Sequence, residues 1–192
     1  GGRCGRPAPP RHAGAAAAIA ARDFTALRAL FADAFQEINH PTGSTYGPDA
    51  AVASVRALFR SRDPSYSVEP LAALGLSLAL IRRCCNASGV SSKLYDVGAY
   101  ENDGIVLFEV DDRGLCRRSE VFAPDHLGDA IVRLYQCYAD GLPAGVERGR
   151  ALMAARALAA FGLTSVHDAL LTPDFESVDH RQLGTWSAQG AQ

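Results

Sequence analysis

A stretch near the start of the chain, Phe35-Gln36-Glu37-Ile38-Asn39-His40-Pro41-Thr42-Gly43-Ser44-Thr45-Tyr46, returns in degenerate form near its end. The later copy is Phe175-Glu176-Ser177-Val178-Asp179-His180-Arg181-Gln182-Leu183-Gly184-Thr185-Trp186. Phe35, His40 and Thr45 each precede an identical counterpart by 140 residues, and no gap is needed. The flanks keep the same offset, with Ala29-Leu30-Phe31 matching Ala169-Leu170-Leu171 and Tyr46 matching Trp186. A constant offset that preserves residue class is the mark of a duplicated structural unit. The expected organisation is a linker or tail over residues 1–12, a complete domain over 13–141, and the helices and first strand of a second, truncated copy over 142–192. The chain starts on Gly and ends soon after the copy opens, so a piece of a longer multidomain protein is expected. In isolation, 13–141 should fold cooperatively and 146–192 should not.

A unit of that length can bury a core, and 48% hydrophobic with 21% charged residues is a globular composition. The formal charge of −2 gives no overall attraction to nucleic acid, so no nucleic-acid partner is expected. The longest apolar run, Leu71 to Ile81, is broken by Gly75 and Ser77 and falls short of the roughly 20 residues that span a bilayer, so no membrane partner is expected. The Ala15 to Ala18 run is too weakly apolar for a signal peptide, since Arg22 and Asp23 follow it. Cys4, Cys84, Cys85, Cys116 and Cys137 are odd in number and lack Cys-x-x-Cys or His spacing, which argues against a disulfide framework or a zinc site. Reduced thiols point to a cytoplasmic setting, and no cofactor or metal is called for.

Residues 1 to 12 carry too many Pro and Gly for regular structure. From Ala13 to Phe31, Ile19, Phe24, Leu27, Leu30 and Phe31 recur at helical spacing, and Asp23 as an N-cap divides the segment into two helices. Phe35 to His40 alternates as a strand, with Phe35, Glu37 and Asn39 on one face and Gln36, Ile38 and His40 on the other. Pro41, Gly43 and Pro48 mark a loop, and a helix with Val52, Val55, Leu58 and Phe59 on its buried side runs on to Asp63-Pro64. Strands are expected at Tyr66 to Glu69, then through Leu74, Leu76, Leu78 and Leu80, at Lys93 to Tyr100, Ile105 to Val110 and Leu115 to Phe122, with Asp111 to Gly114 as a hairpin turn. A helix from Pro124 to Ala139, with Leu127, Ile131, Leu134 and Tyr135 on one side, leads to the Gly141 to Gly145 linker. Arg148 to Ala160 and Leu163 to Leu171 then repeat the opening helices, and Phe175 to His180 repeats the first strand.

Helices, a strand, a helix and then sequential strands describe an α+β chain whose sheet curls into a cone. The pattern resembles the NTF2-like superfamily and most closely its SnoaL-like branch. The resemblance is carried by Ala21-Arg22-Asp23-Phe24-Thr25-Ala26-Leu27-Arg28-Ala29-Leu30-Phe31-Ala32-Asp33-Ala34-Phe35, by Asn39-His40 with Asp179-His180-Arg181, and by Glu109-Val110-Asp111-Asp112-Arg113-Gly114-Leu115 with Glu120-Val121-Phe122. It covers roughly 13–140 and again 146–187. It implies a cystatin/NTF2-like cone, with N-terminal helices packed on a curved, mostly antiparallel sheet, and a small hydrophobic ligand as a partner. It also implies a possible enzymatic role, because related cyclases and ketosteroid isomerases use a carboxylate base with Tyr or Asp donors in the cavity. No motif transfers those roles to numbered positions in this chain.

The residues singled out as ligand-binding candidates are Asn39, His40, Tyr46, Tyr95 and Glu109; none is assigned a catalytic role. Imidazole titrates near neutral pH, so His40 can be a base or donor at the cavity mouth, and it can equally cap a loop backbone. Asn39 can only hydrogen-bond where its counterpart Asp179 carries a charge. Glu109 and Glu120 lie near Arg117 and Arg118, where cross-strand ion pairing competes with a cavity role. Arg56, Arg60, Arg62, Arg82 and Arg83 do not interleave with aromatic residues along the sequence, which reads as a solvated face. Two functions from different classes follow. One is a non-catalytic ligand-binding or regulatory module attached to flanking domains, as similar tandem units are in bacterial multidomain proteins; the other is an isomerase, cyclase or dehydratase with His40 as base near Tyr95 or Glu109. A homodimer is a further expectation, since sheets of this kind expose one face.

Overall fold

A computed structural model describes residues 12–91, 96–97, 99–161, 176–178 and 187–189. The chain opens with α1 (His12–Ala20) and α2 (Phe24–Ala29), then β1 (Phe31–Asn39), β2 (Ser44–Tyr46) and α3 (Pro48–Leu58). Two hairpin strands, β3 (Ser65–Leu74) and β4 (Leu78–Ala87), precede the short pair β5 (Val90–Ser91) and β6 (Asp96–Val97). The long strands β7 (Tyr100–Val110) and β8 (Cys116–Phe122) follow, then the antiparallel helices α4 (Leu127–Asp140) and α5 (Val146–Phe161). Lastly β9 (Glu176–Val178) pairs antiparallel with β10 (Ser187–Gln189).

The main sheet has six strands in the order β2-β1-β8-β7-β4-β3. Every pairing is antiparallel except β1 with β8, which is parallel. Side chains alternate across the pleat, so each strand serves two cores. Ile81, Val106 and Val121 form one wall with Val68 and Phe108, on the side of the α1, α2 and α3 cluster of Ala18, Ile19, Leu27 and Val52. Leu78, Leu80, Ile105, Leu107 and Phe122 face the other way, onto Ala130, Leu134 and Cys137 of α4. Helices on both faces of a curved mixed sheet give the α+β architecture that the sequence implies.

Several local expectations are met. Asp23 caps α2, its Oδ1 accepting from the Ala26 N–H at 2.9 Å. Replacing Asp23 with alanine is expected to cost about 1 kcal/mol, the ordinary value of a lost N-cap, read as a shift of the urea midpoint at constant m. Gly114 takes φ 76° in the β7–β8 turn, where a Cβ would strain the backbone.

Others are corrected. Phe31 opens β1 instead of ending the helical segment, although its side chain still packs on the opening-helix cluster and its ring centroid lies 4.3 Å from that of Phe35. The loop after His40 contains β2, and α3 stops at Leu58, short of Asp63-Pro64. Leu76 does not continue a strand face. It stands fully exposed in the β3–β4 turn, where Gly75 takes φ 61°, so the run of alternating leucines spans a hairpin. Of the strand expected over 93–100, β6 holds Asp96 and Val97, and β7 starts at Tyr100, earlier than Ile105, while 93–95 and 98 lie outside the described residues. In the second stretch, α5 runs Val146–Phe161 and packs on α4 through Ala151 and Ala155. The expectations for residues 1–11, for the helix over 163–171, and for Phe175, Asp179, His180, Thr185 and Trp186 fall outside the described residues.

Candidate functional site

Two polar clusters lie on opposite faces of the main sheet. The first is on the side of α1, α2 and α3. The register sets Glu37 beside Ser119, Val68 beside Arg83 and Tyr66 beside Cys85, all on the face that carries Ile81, Val106 and Val121. Ser119 is fully buried and its hydroxyl donates to Glu37 Oε2 at 3.2 Å. Arg83 reaches to 4.0 Å of the same carboxylate. Among the described residues its Nε is buried and has no hydrogen-bond partner, an unusual state for a guanidinium nitrogen. Gly104 faces Arg83 across the ladder and contributes no side chain; a Cβ there would press on the Phe122 carbonyl at 3.2 Å. Burial pushes the Tyr66 hydroxyl up to about 12, with Arg83 pulling the other way and Cys85 and Glu37 adding to the rise. Tyr66 is therefore a neutral donor at every ordinary pH.

The second cluster lies under α4 and centres on Glu120, which is 2% exposed. Its Oε1 accepts from Arg118 Nε at 2.8 Å and from Arg133 Nε at 2.9 Å, while Oε2 meets His40 Nε2 at 2.9 Å. Arg133 comes from α4, Arg118 from two residues earlier on β8, and His40 from the end of β1, so three elements meet on one carboxylate. Burial would raise its pKa, but the bonds from His40 and Arg133 and the charges of Arg133 and Arg118 outweigh that and hold the carboxyl below its usual range. The His40 ring lies against Phe122, centroids 4.4 Å apart, and is itself exposed.

The residues singled out from sequence divide between the two faces. Tyr46 is registered against Glu37 on the α1, α2 and α3 side. Asn39 is on the same face, and its Oδ1 accepts from the Thr42 N–H at 3.1 Å, fixing the turn after β1. His40 and Glu109 are on the α4 side, where Glu109 pairs with Arg117. Tyr95 is outside the described residues. His40 and Glu109 thus share a face without sharing a partner, and cross-strand pairing accounts for Glu109. Glu120, which the sequence suggested as a cross-strand ion pair, is bonded to Arg118 on its own strand, to Arg133 on α4 and to His40 at the end of the neighbouring β1. Arg83, Glu37, Ser119, Tyr66 and Arg133 were not singled out as site residues; only the strand alternation pairing Glu37 with Asn39 hinted at them. Among the described residues no group of three or more His, Cys, Asp or Glu side chains converges as metal ligands would, and no helix is long and apolar enough to cross a membrane.

No protein-family model matches the sequence, and no curated protein is significantly similar to it. Solved structures with a similar chain path do exist. One is a provisionally assigned polyketide cyclase from Xanthomonas campestris pv. campestris, 17% identical, matching 62% of this chain and 91% of its own with a TM-score of 0.46. Another is Rv0760c from Mycobacterium tuberculosis, solved in complex with estradiol-17beta-hemisuccinate, 16% identical over 59% of this chain and 92% of its own, TM-score 0.46. A third is an uncharacterized cystatin fold protein from Novosphingobium aromaticivorans, 17% identical over 58% of this chain and 93% of its own, TM-score 0.46. At that distance the likeness decides nothing about either cluster, whose chemistry has to come from its own side chains.

Proposed function

We propose that the chain is a non-catalytic ligand-binding or regulatory module of NTF2-like build, belonging to a larger multidomain protein. Its ligand is small and mostly apolar, held between the sheet and α1, α2 and α3 by Arg83 and Tyr66. The observation that carries this is the buried, unpartnered Nε of Arg83. A buried lone donor costs free energy unless something accepts from it. An accepting oxygen on an otherwise apolar molecule would satisfy that donor, and half-buried Val68, beside Arg83 on β3, offers apolar surface next to it. Rv0760c, a structure of similar chain path, holds a steroid ester, and that class heads the set to test.

The test is a thermal-shift screen of the whole chain against steroids, aromatic ketones and their hydrocarbon analogues. A hundredfold excess over Kd should stabilise by about 2.7 kcal/mol, roughly 5–10 °C for a chain of this size. The shift should need an accepting oxygen on the ligand and should vanish in Arg83→Met, which keeps the volume and removes the donor. Equal shifts in wild type and Arg83→Met, or none from any compound, would remove the proposal.

The enzyme reading, an isomerase, cyclase or dehydratase acting on a hydrophobic carbonyl compound, rests on one observation: an exposed imidazole oriented by a buried carboxylate is the arrangement of a general base. Against it, the described donors near His40 are Arg118 and Arg133, both already spent on Glu120. Turnover of a carbonyl substrate that His40→Gln abolishes while Arg83→Met leaves it intact would decide for this reading.

A further inference from the structure

Arg56 shows no aromatic interleaving along the sequence, but the fold provides it, for Arg56 and for Arg22. The Arg56 guanidinium carbon lies 5.1 Å above the Phe24 ring, and that of Arg22 lies 5.2 Å above Phe59. The two rings are themselves 6.4 Å apart. The result is a row running Arg56, Phe24, Phe59, Arg22 along the outside of α2 and α3. Arg22 holds φ 55°, a left-handed conformation that a side chain of this size rarely adopts, so its backbone is strained where it joins the row.

A concavity of about 520 Å³ opens beside this row. Phe24, Val52 and Ala53 line it with apolar surface, and Arg28 and Arg56 line it with charge. Arg28 is already committed: its Nε donates to Asp49 at 2.8 Å, and its other nitrogens reach Asp33 and the Phe31 carbonyl. Arg56 and Arg22 are in a different condition. Each is restrained through a ring, and among the described residues neither has a carboxylate or carbonyl as partner. A guanidinium group stacked on a ring keeps its in-plane N–H groups directed outward, the geometry that binds a carboxylate through two parallel hydrogen bonds.

We propose that this groove is a second ligand site, distinct from the Arg83 interior, and that it takes a carboxylate with a short apolar or aryl body. Phe24 and Ala53 receive the body, Arg56 receives the carboxylate, and Arg22 adds positive potential one ring further along. Asp49 and Asp33 both lie on Arg28, so Arg56 and Arg22 are the cations left to meet an anion.

The probe is 4-phenylbutyrate, with 4-phenylbutanol as its neutral counterpart, titrated into the whole chain and followed by amide chemical shifts and calorimetry. Perturbations should centre on Val52, Ala53 and Phe24 and should weaken as salt rises, since an ion pair at an open surface is screened. Arg56→Gln should weaken the acid by roughly tenfold, the scale of one lost bidentate contact, and Arg22→Gln by less. Arg60→Gln, just past the C-terminal end of α3 and without a ring partner among the described residues, and Arg83→Met should leave it unchanged. Equal binding of the alcohol, unchanged binding in Arg56→Gln, or no perturbation at millimolar acid would each overturn the proposal. Because the substituted positions are exposed, loss of fold would show separately as a collapsed amide spectrum, and Phe24→Leu, which removes the ring and keeps an apolar side chain, then provides the second test.

Discussion

Replacing Glu120 with alanine is expected to destabilise the fold by about 3 kcal/mol, near the lower end of the range for breaking a buried ion pair. The figure is not higher because the two arginines left behind, at 37% and 29% side-chain exposure, can turn partly to water. Glu120→Gln keeps the shape and loses the charge, so it should fall between wild type and alanine. The pH dependence follows from the direction of the shift. A carboxyl held below its unfolded value contributes fully above about pH 4.3, the unfolded value, and that contribution is lost as pH falls through the folded pKa. Urea titrations between pH 3 and 7 should therefore show a steep acid limb in wild type that flattens in Glu120→Gln. An unchanged limb would mean the carboxylate contributes through packing alone.

The other large effect is in the apolar half of the same interface. Leu134 of α4 is 1% exposed among Leu80, Ile105, Leu107 and Phe122. Leu134→Ala removes buried methyl groups and leaves a cavity that rigid strands on one side cannot close, for a cost of about 3 kcal/mol. The melting temperature should drop by roughly 6–12 °C. Leu76→Ala is the control: Leu76 is fully exposed at a hairpin tip, so its change should stay within about 0.5 kcal/mol. A large effect at Leu76 would mean that the tip is covered in solution.

These two leucines show how far the sequence could be read. Leu134 followed helical spacing and fell on the buried side as expected. Leu76 followed strand alternation equally well, yet period alone cannot tell a continuing strand from two strands that keep phase across a tight turn; Gly75 was the available signal. Asp23 was legible because a cap is a local device. The partition of Asn39, Tyr46, His40 and Glu109 between two faces was not, because it depends on which face the helices cover. Arg83 carries no local mark at all. Its sequence neighbours place it on a solvated face, whereas the structure buries its Nε and brings Glu37 to 4.0 Å of it across the sheet. The stacked arginines were missed for the same reason, since Phe24 and Arg56 belong to different helices.

One connection sets the order in which the molecule can assemble. β1 is completed by residue 39, but its parallel neighbour in the sheet is β8, with Glu37 meeting Ser119 across a separation of 82 residues. During synthesis β1 can pair locally with β2, but its β8-facing edge waits for nearly the whole domain, while β3, β4, β7 and β8 pair mainly with near neighbours in sequence. Long-range pairing of this kind is slow because the loop must close before any contact repays it. Pulse-labelled hydrogen exchange during refolding should find the β4 and β7 amides protected first and those of β1 last. Until then Glu37 has no Ser119 and Glu120 has no His40, so both polar clusters come into being in the same final step.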